Sequence, residues 1–397
     1  MRVSTLGHKP ERGVPIRLAS RATLAPMSRC LLPPLAALLL AACAATPPKA
    51  VPVATAPPVA PLPATEAPVA TVTPVRDISA ARAEFVRSTA QRFNIPAANI
   101  DAVLARAQIR ESIVKAMSRP AEAKPWRDYR PIFIQQARID GGRAFLEKNR
   151  AALQRAEDKY GVPKEIITAI LGVETSYGGN KGSYLVIDAL YTLAFAYPRS
   201  GSPEKVAYED KREAFFRDEL AQLFALGKEE GFDITTLKGS YAGAMGYGQF
   251  MPSSYRQYAV DGDGDGKRDL FNDLDDVFAS VANYFAQKGK WQRGGAVMLP
   301  ALRDASAADF VNPGNVVNLD QTALTLAARG YRPAAGDAAI DPAVPLTLIT
   351  LDGKTGPDYW LVFNNFKAIT TYNISRLYAT AVYQLAEAIA GHDVGGA

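Results

Sequence analysis

The sequence predicts a mainly α protein with a small β portion near its C-terminus. Three observations carry this. Apolar residues recur at spacings of three and four from Asp77 onward. Short β-rich runs, "PLTLITL" and "YWLVF", fall within a Pro-, Asp- and Gly-punctuated stretch at about 334–366. The last periodic segment, "NISRLYATAVYQLAEAIAG", again has helical spacing. The chain has 397 residues, 48% hydrophobic and 21% charged, the composition of an ordinary globular protein.

The N-terminal residues do not belong to that fold. "MSRCLLPPLAALLLAAC", Met27 to Cys43, has a basic start, an apolar run and small residues before a cysteine, the pattern of a secretory signal. Its apolar run is shorter than the roughly 20 residues of a spanning helix. Residues 1–42 are therefore expected to be a removable signal peptide, with Met27 as an alternative start. Leu40-Ala41-Ala42-Cys43 resembles the lipobox of bacterial lipoproteins, which implies a lipid on Cys43. Ala44 after that cysteine, rather than Asp, fits sorting to the inner leaflet of the outer membrane. The expected location is periplasmic and lipid-anchored.

Cleavage before Cys43 removes six of the 45 basic and one of the 40 acidic residues, leaving 39 of each. The formal charge of +5 thus falls to zero, and no basic field for nucleic acid remains. Cys30 leaves with the signal, so the mature chain has no internal disulfide. Residues 43–76 contain nine prolines among Ala, Val and Thr and read as an extended tether. At about 3.1 Å per residue it reaches on the order of 100 Å.

The folded region is expected at 77–397. "DISAARAEFVRSTAQRF", "NIDAVLARAQI", "ARIDGGRAFLEKNRAALQRAEDKYG", residues 205–230 and residues 276–288 read as amphipathic helices. "PKEIITAILGVETSYGG" reads as a buried helix. Pro163 and Glu165 suit its start, and Gly178 and Gly179 suit its end. Ile167, Ile170, Leu171 and Glu174 share one stripe, so Glu174 follows the apolar face inward. Burial and the negative end of the helix dipole both raise a carboxyl pKa. A carboxyl that holds its proton near neutrality suits a general acid, and a buried Glu paired with a cation is the structural alternative.

"KGSYAGAMGYGQFMPSSYRQYAV" contains Gly239, Gly243, Gly246 and Gly248, five tyrosine or phenylalanine rings, and no Asp or Glu. Small residues admit a ligand close to the backbone, and amphipathic rings with uncharged donors suit sugars. A close helix–helix contact is the alternative. "DGDGDGKRDLFNDLDD" follows. Asp261, Asp263 and Asp265 occupy positions 1, 3 and 5 of an EF-hand loop, Gly266 position 6, and Lys267 offers its carbonyl at 7. Position 12 is Asn272 instead of a bidentate Glu. A solvated acidic turn is the alternative to a structural Ca2+ site.

"GVETSYG", "GSYAGAMGYGQFMPSSYRQYAVDGDGDG", "SVANYF" and "TTYNISRLYA" together resemble the membrane-bound lytic murein transglycosylase B family over roughly residues 80–390. The resemblance implies a lysozyme-like catalytic core with an additional helical N-terminal region. It implies cleavage of the β-1,4 bond between N-acetylmuramic acid and N-acetylglucosamine in peptidoglycan glycan strands, with a 1,6-anhydromuramic end as product. Glu174 is then the acid/base. Ser240, Met245, Gln249, Phe250, Tyr129, Tyr284, Tyr372, Asn373 and Tyr378 line the saccharide cleft. The family's longer metal loop, 261–276, selects Asp276 as the last ligand, with Asp275 as its neighbouring alternative. No organic cofactor is implied, and other cell-wall enzymes are candidate partners. The sequence departs from the family at Ser176-Tyr177, at Ala196–Ser200 with a following insertion, and at Phe215. A muramidase that adds water, or a non-catalytic peptidoglycan-binding scaffold, are the other readings. The lack of a second well-placed acid favours a one-carboxylate mechanism over ordinary hydrolysis.

Overall fold

The computed structural model describes residues 77–118, 124–312, 314–334 and 340–394. All of them fall in one compact unit, Ala64–Ala397. The expected signal, Cys43 and nearly all of the tether lie outside the described residues. No described helix is long and apolar enough to cross a membrane.

Seven helices precede the first strand: α1 (Ser79–Phe93), α2 (Ala97–Leu104), α3 (Glu111–Met117), α4 (Trp126–Phe133), α5 (Gln136–Lys148), α6 (Arg150–Tyr160) and α7 (Lys164–Thr175). A two-residue strand, β1 (Tyr184–Leu185), leads into α8 (Val186–Phe195) and the 25-residue α9 (Val206–Glu230). Strand β2 (Lys238–Gly239) pairs antiparallel with β1. Helices α10 (Pro252–Tyr258) and α11 (Leu274–Gln287) flank the acidic loop. The rest comprises β3 (Met298–Arg303), α12 (Ala323–Ala328), β4 (Tyr331–Pro333), β5 (Thr347–Asp352), β6 (Pro357–Val362), α13 (Asn364–Thr370) and α14 (Arg376–Ala390).

The core explains this order. Ile166, Ile167, Ala169, Ile170 and Leu171 of α7 are buried, and every residue of α8 is buried. These helices are apolar around most of their circumference, which only a central position satisfies. The amphipathic helices pack around them.

The small β portion is larger than the sequence suggests. Its antiparallel sheet, ordered β4-β3-β6-β5, begins at Met298. Strand β3, "MLPALR", carries a proline and no strict alternation, so pairing with β6 decides it. Alternate residues face opposite ways. Met298, Ile349, Leu351 and Val362 join the main core, while Ala301, Leu348 and Leu361 form a second core with Leu326, Tyr331, Leu346 and Phe363. The single helix expected over 137–161 breaks at Asn149 into α5 and α6.

Candidate active site

Glu174 lies in the last turn of α7, half-buried at the edge of the core. Withdrawal from water raises its pKa from 4.5 to about 7. One interaction opposes that rise. The Tyr378 hydroxyl, on the first turn of α14, donates to Glu174 Oε1 at 2.5 Å. A donor to a carboxylate favours the ionised form, so the two effects bring the group near neutrality. No neighbouring charge contributes to the shift. The cation-paired alternative for Glu174 therefore has no support among the described residues.

Other acids that could have entered the site are committed elsewhere. Asp188 accepts from Gln108 N and Arg110 Nε at 2.9 and 2.8 Å. Glu213 pairs with Arg199 and Arg217. Buried Glu219 accepts from Ser253 N at 2.9 Å and Ser253 Oγ at 2.5 Å, holding the first turn of α10.

The end of α7 is shaped by unusual backbone. The expected glycine termination begins two residues early: Ser176 and Tyr177 take φ of 50° and 61°, followed by Gly178 at 88°. Left-handed backbone costs a non-glycine residue roughly 1 kcal/mol. Two backbone bonds offset it, Ser176 N to Gly172 O and Tyr177 N to Leu171 O. The Tyr177 ring packs back onto Phe145, and its hydroxyl donates to Arg138 O at 2.8 Å. This departure from the family pattern thus turns a ring into the protein. Gly172 leaves room for it, since a Cβ there would sit 2.7 Å from that ring.

The glycine-aromatic stretch docks directly beside Glu174. Thr175 Oγ1 donates to Tyr247 O at 2.9 Å and accepts from Gly178 N at 3.0 Å. Met245 and Phe250 exchange backbone hydrogen bonds, both at 2.9 Å, and both are buried. The Phe250 ring meets Tyr284 and Tyr372 edge-on. Tyr372 donates to Gly248 O at 2.5 Å, and Tyr284 to Thr371 O at 2.6 Å. Burial raises the pKa of Tyr372 and Tyr378, and the nearby Glu174 charge adds to both. Tyr129 on α4 is buried close enough to Tyr378 to act in the same direction. Ser240 Oγ accepts from Ala244 N, closing the first turn of the stretch. Gln249, at φ 52°, donates to Gly246 O and Lys181 O. Asn373 lies partly exposed between Tyr372 and the Ser375 cap of α14.

All the residues implied for the cleft except Tyr129 and Glu174 therefore come from the glycine-aromatic stretch, α11 and the segment 372–378. Met245 and Phe250 are the least exposed, so they shape the floor instead of presenting a broad face. Sequence reasoning missed three supporting groups. Thr175 sits inside the quoted "GVET", where its polarity in an apolar run was a usable signal. Lys181 lies 4.4 Å over the Tyr247 ring and donates to Phe271 O. Glu219 looks like any acid on a charged helix.

At the acidic loop, carboxylate oxygens of Asp261, Asp263 and Asp276 lie within 4.8 Å of one another. Asp276 is buried and accepts from Gly262 N and Asp269 N, each at 2.6 Å. Asp261 accepts from Gly264 N and Gly266 N at 2.6 and 2.8 Å. Asp265 falls outside the three-carboxylate group, its Oδ1 accepting from Lys267 N at 2.8 Å. Asp275, the alternative last ligand, pairs with Arg155. Burial raises the Asp276 pKa, and the Asp273 and Asp261 charges push the same way. Three converging hard oxygens, one of them buried, fit a hard divalent cation.

A family model described as Transglycosylase SLT domain matches residues 77–387. The chain belongs to the lytic murein transglycosylase B family. Membrane-bound lytic murein transglycosylase B of Escherichia coli strain K12 is 37% identical over 319 residues, 77% of this chain and 82% of that protein. The crystal structure of soluble lytic transglycosylase SltB1 from Pseudomonas aeruginosa matches with a TM-score of 0.70 and 42% identity. It covers 78% of this chain and 98% of its own. The E. coli lytic transglycosylase Slt35 in complex with calcium matches with a TM-score of 0.67 and 35% identity, over 78% of this chain and 92% of its own. The family places the chain among enzymes that act on peptidoglycan, and the mainly α, lysozyme-like fold agrees with it.

Proposed function

We propose that this lytic transglycosylase cleaves the β-1,4 bond after N-acetylmuramic acid and closes a 1,6-anhydro ring, with Glu174 as its single acid and base. The observation that carries the reading is a carboxyl with a pKa near 7 whose only polar side-chain partner among the described residues is a tyrosine hydroxyl. Protonated Glu174 gives its proton to the glycosidic oxygen as the bond from C1 breaks. The positive charge at C1 is held as an oxocarbenium ion or as an oxazolinium made by the 2-acetamido group. The C6 hydroxyl then attacks C1 and yields its proton to the ionised Glu174, which Tyr378 stabilises. Atoms balance without water. The nucleophile is already on the substrate, so proximity stands in for a second carboxylate.

Ser240, Met245, Gln249, Phe250, Tyr129, Tyr284, Tyr372, Asn373 and Tyr378 are assigned to the saccharide cleft on the family motif and their grouping around Glu174. Asp261, Asp263 and Asp276, with the Lys267 carbonyl, would hold a structural Ca2+; Asp265 is the weakest member of the expected set. A lipid on Cys43 would tether the enzyme in the periplasm at the outer membrane.

Mass spectrometry of fragments released from purified sacculi tests the chemistry. Products lighter by one water, without a reducing muramic end, are expected. Reducing ends would make the protein a muramidase, and binding without release would make it a scaffold.

A further inference from the structure

Lys181 is half-buried, and among the described residues it pairs with no carboxylate. An ammonium drawn partly out of water is costly unless it is well bonded. Its Nζ donates to Phe271 O at 2.8 Å, in the segment that leaves the acidic loop, and lies 4.4 Å from the centre of the Tyr247 ring. A charge-assisted hydrogen bond and a cation–π contact thus meet on one atom. The root of the side chain is fixed too. Gly182 follows at a φ of 89°, so close to Gly239 that a Cβ would sit 2.1 Å from its carbonyl oxygen.

The ring under the ammonium belongs to the turn Gly246–Gln249. Tyr247 N donates to Leu270 O at 3.0 Å, and Tyr247 O accepts from Thr175 Oγ1 at 2.9 Å, one residue from Glu174. Gly178 abuts the same ring, since a Cβ there would lie 1.9 Å from Tyr247 Cε1. The turn is therefore held between the end of α7 and the acidic loop, and the Lys181 side chain bridges ring and loop. The Lys181 carbonyl holds the turn as well. Gln249 Nε2 donates to Lys181 O at 3.3 Å and to Gly246 O at 3.0 Å. Both amide hydrogens are engaged by carbonyls, which can only accept, so the amide cannot flip and Gln249 Oε1 is left as an acceptor.

We propose that Lys181 is a positioning residue for glycan cleavage: it clamps the turn that carries Gln249, so that Gln249 Oε1 receives a donor hydrogen of the bound saccharide. Lys181 acts through Tyr247 and Gln249 and not through its field. Its charge has no part in the Glu174 shift, which comes from burial and Tyr378. The saccharide rests on the function proposed above; the clamp rests on these contacts alone.

The full-length protein and its Lys181→Met and Lys181→Arg variants are compared by calorimetric titration with chitotriose and by steady-state cleavage of peptide-free glycan. Met keeps the stem and loses the cation; Arg keeps the donor and the ring contact. Lys181→Met should raise the chitotriose Kd at least 5-fold and lower kcat/KM at least 10-fold, with both limbs of the pH–rate profile in place. Lys181→Arg should stay within 2-fold of the wild type in both measurements. Tyr247→Leu should cause a similar loss, and the double variant no more than either single one. It keeps the test decisive if Lys181→Met fails to fold. Absent chitotriose binding by the wild type, wild-type affinity and turnover in folded Lys181→Met or Tyr247→Leu, a displaced pH–rate profile, or no rescue by Arg would overturn the proposal. Reducing ends among the wild-type products would instead count against the anhydro chemistry assigned to Glu174 and leave the clamp standing.

Discussion

Replacing Glu174 by Gln should separate the proposed catalytic role of this carboxyl from its cost to the fold. Folding raises its pKa from 4.5 to about 7. The folded chain therefore keeps a proton that the unfolded chain releases as the pH passes through 4.5. Stability from this group is fully present below pH 4.5 and is lost as the pH rises through 7. A shift of this size corresponds to about 3 kcal/mol at 1.36 kcal/mol per unit. Gln is neutral throughout and its carbonyl can still accept from Tyr378. The variant should thus match the wild type at pH 4.5 and exceed it at pH 8 by up to about 3 kcal/mol. Urea unfolding of both proteins at the two pH values measures the difference directly, with unchanged m-values as the check on two-state behaviour. The same variant should lose turnover and keep glycan binding. A stability difference that does not change between pH 4.5 and 8 would refute the desolvated carboxyl, and substantial residual turnover would refute its role as sole acid.

Tyr378→Phe removes the donor that favours ionised Glu174, so the basic limb of the pH–rate profile should move to higher pH with about a 10-fold loss in kcat; a profile that stays in place would exclude this coupling. Calcium should raise the Tm of chelator-treated protein, and Asp276→Asn should abolish that rise, because Asp276 supplies the buried oxygen of the three-carboxylate group. Gly182→Ala should destabilise by about 3 kcal/mol or more: a Cβ there meets Gly239 O at 2.1 Å, at a φ of 89°, and a Tm within 2 °C of the wild type would contradict this packing.

Some of this protein was legible in one dimension because the signals are local. The three- and four-residue spacing of Ile167, Ile170, Leu171 and Glu174 sets the carboxyl on the inward face of α7 before any neighbour is known. The aspartates and glycines of "DGDGDG" are close in sequence, so their loop is readable as a unit. The convergence of Asp276, and not Asp275, on Asp261 and Asp263 is less local: the family resemblance pointed to it in sequence, and in space Asp275 pairs with Arg155 instead. The strand β3 and the break at Asn149 were not legible, since pairing and packing decide them.

Sequence alone determined the helical class, the inward acid and the acid-free glycine-aromatic stretch, because each depends on residue type and spacing along one segment. Only the tertiary structure decided what the acid faces. Tyr378 lies 204 residues from Glu174, and Tyr372 lies 124 residues from the Gly248 carbonyl it bonds. The balance between burial and one tyrosine hydroxyl, which sets the proton near pH 7, arises from contacts between distant segments and has no signature in any one of them.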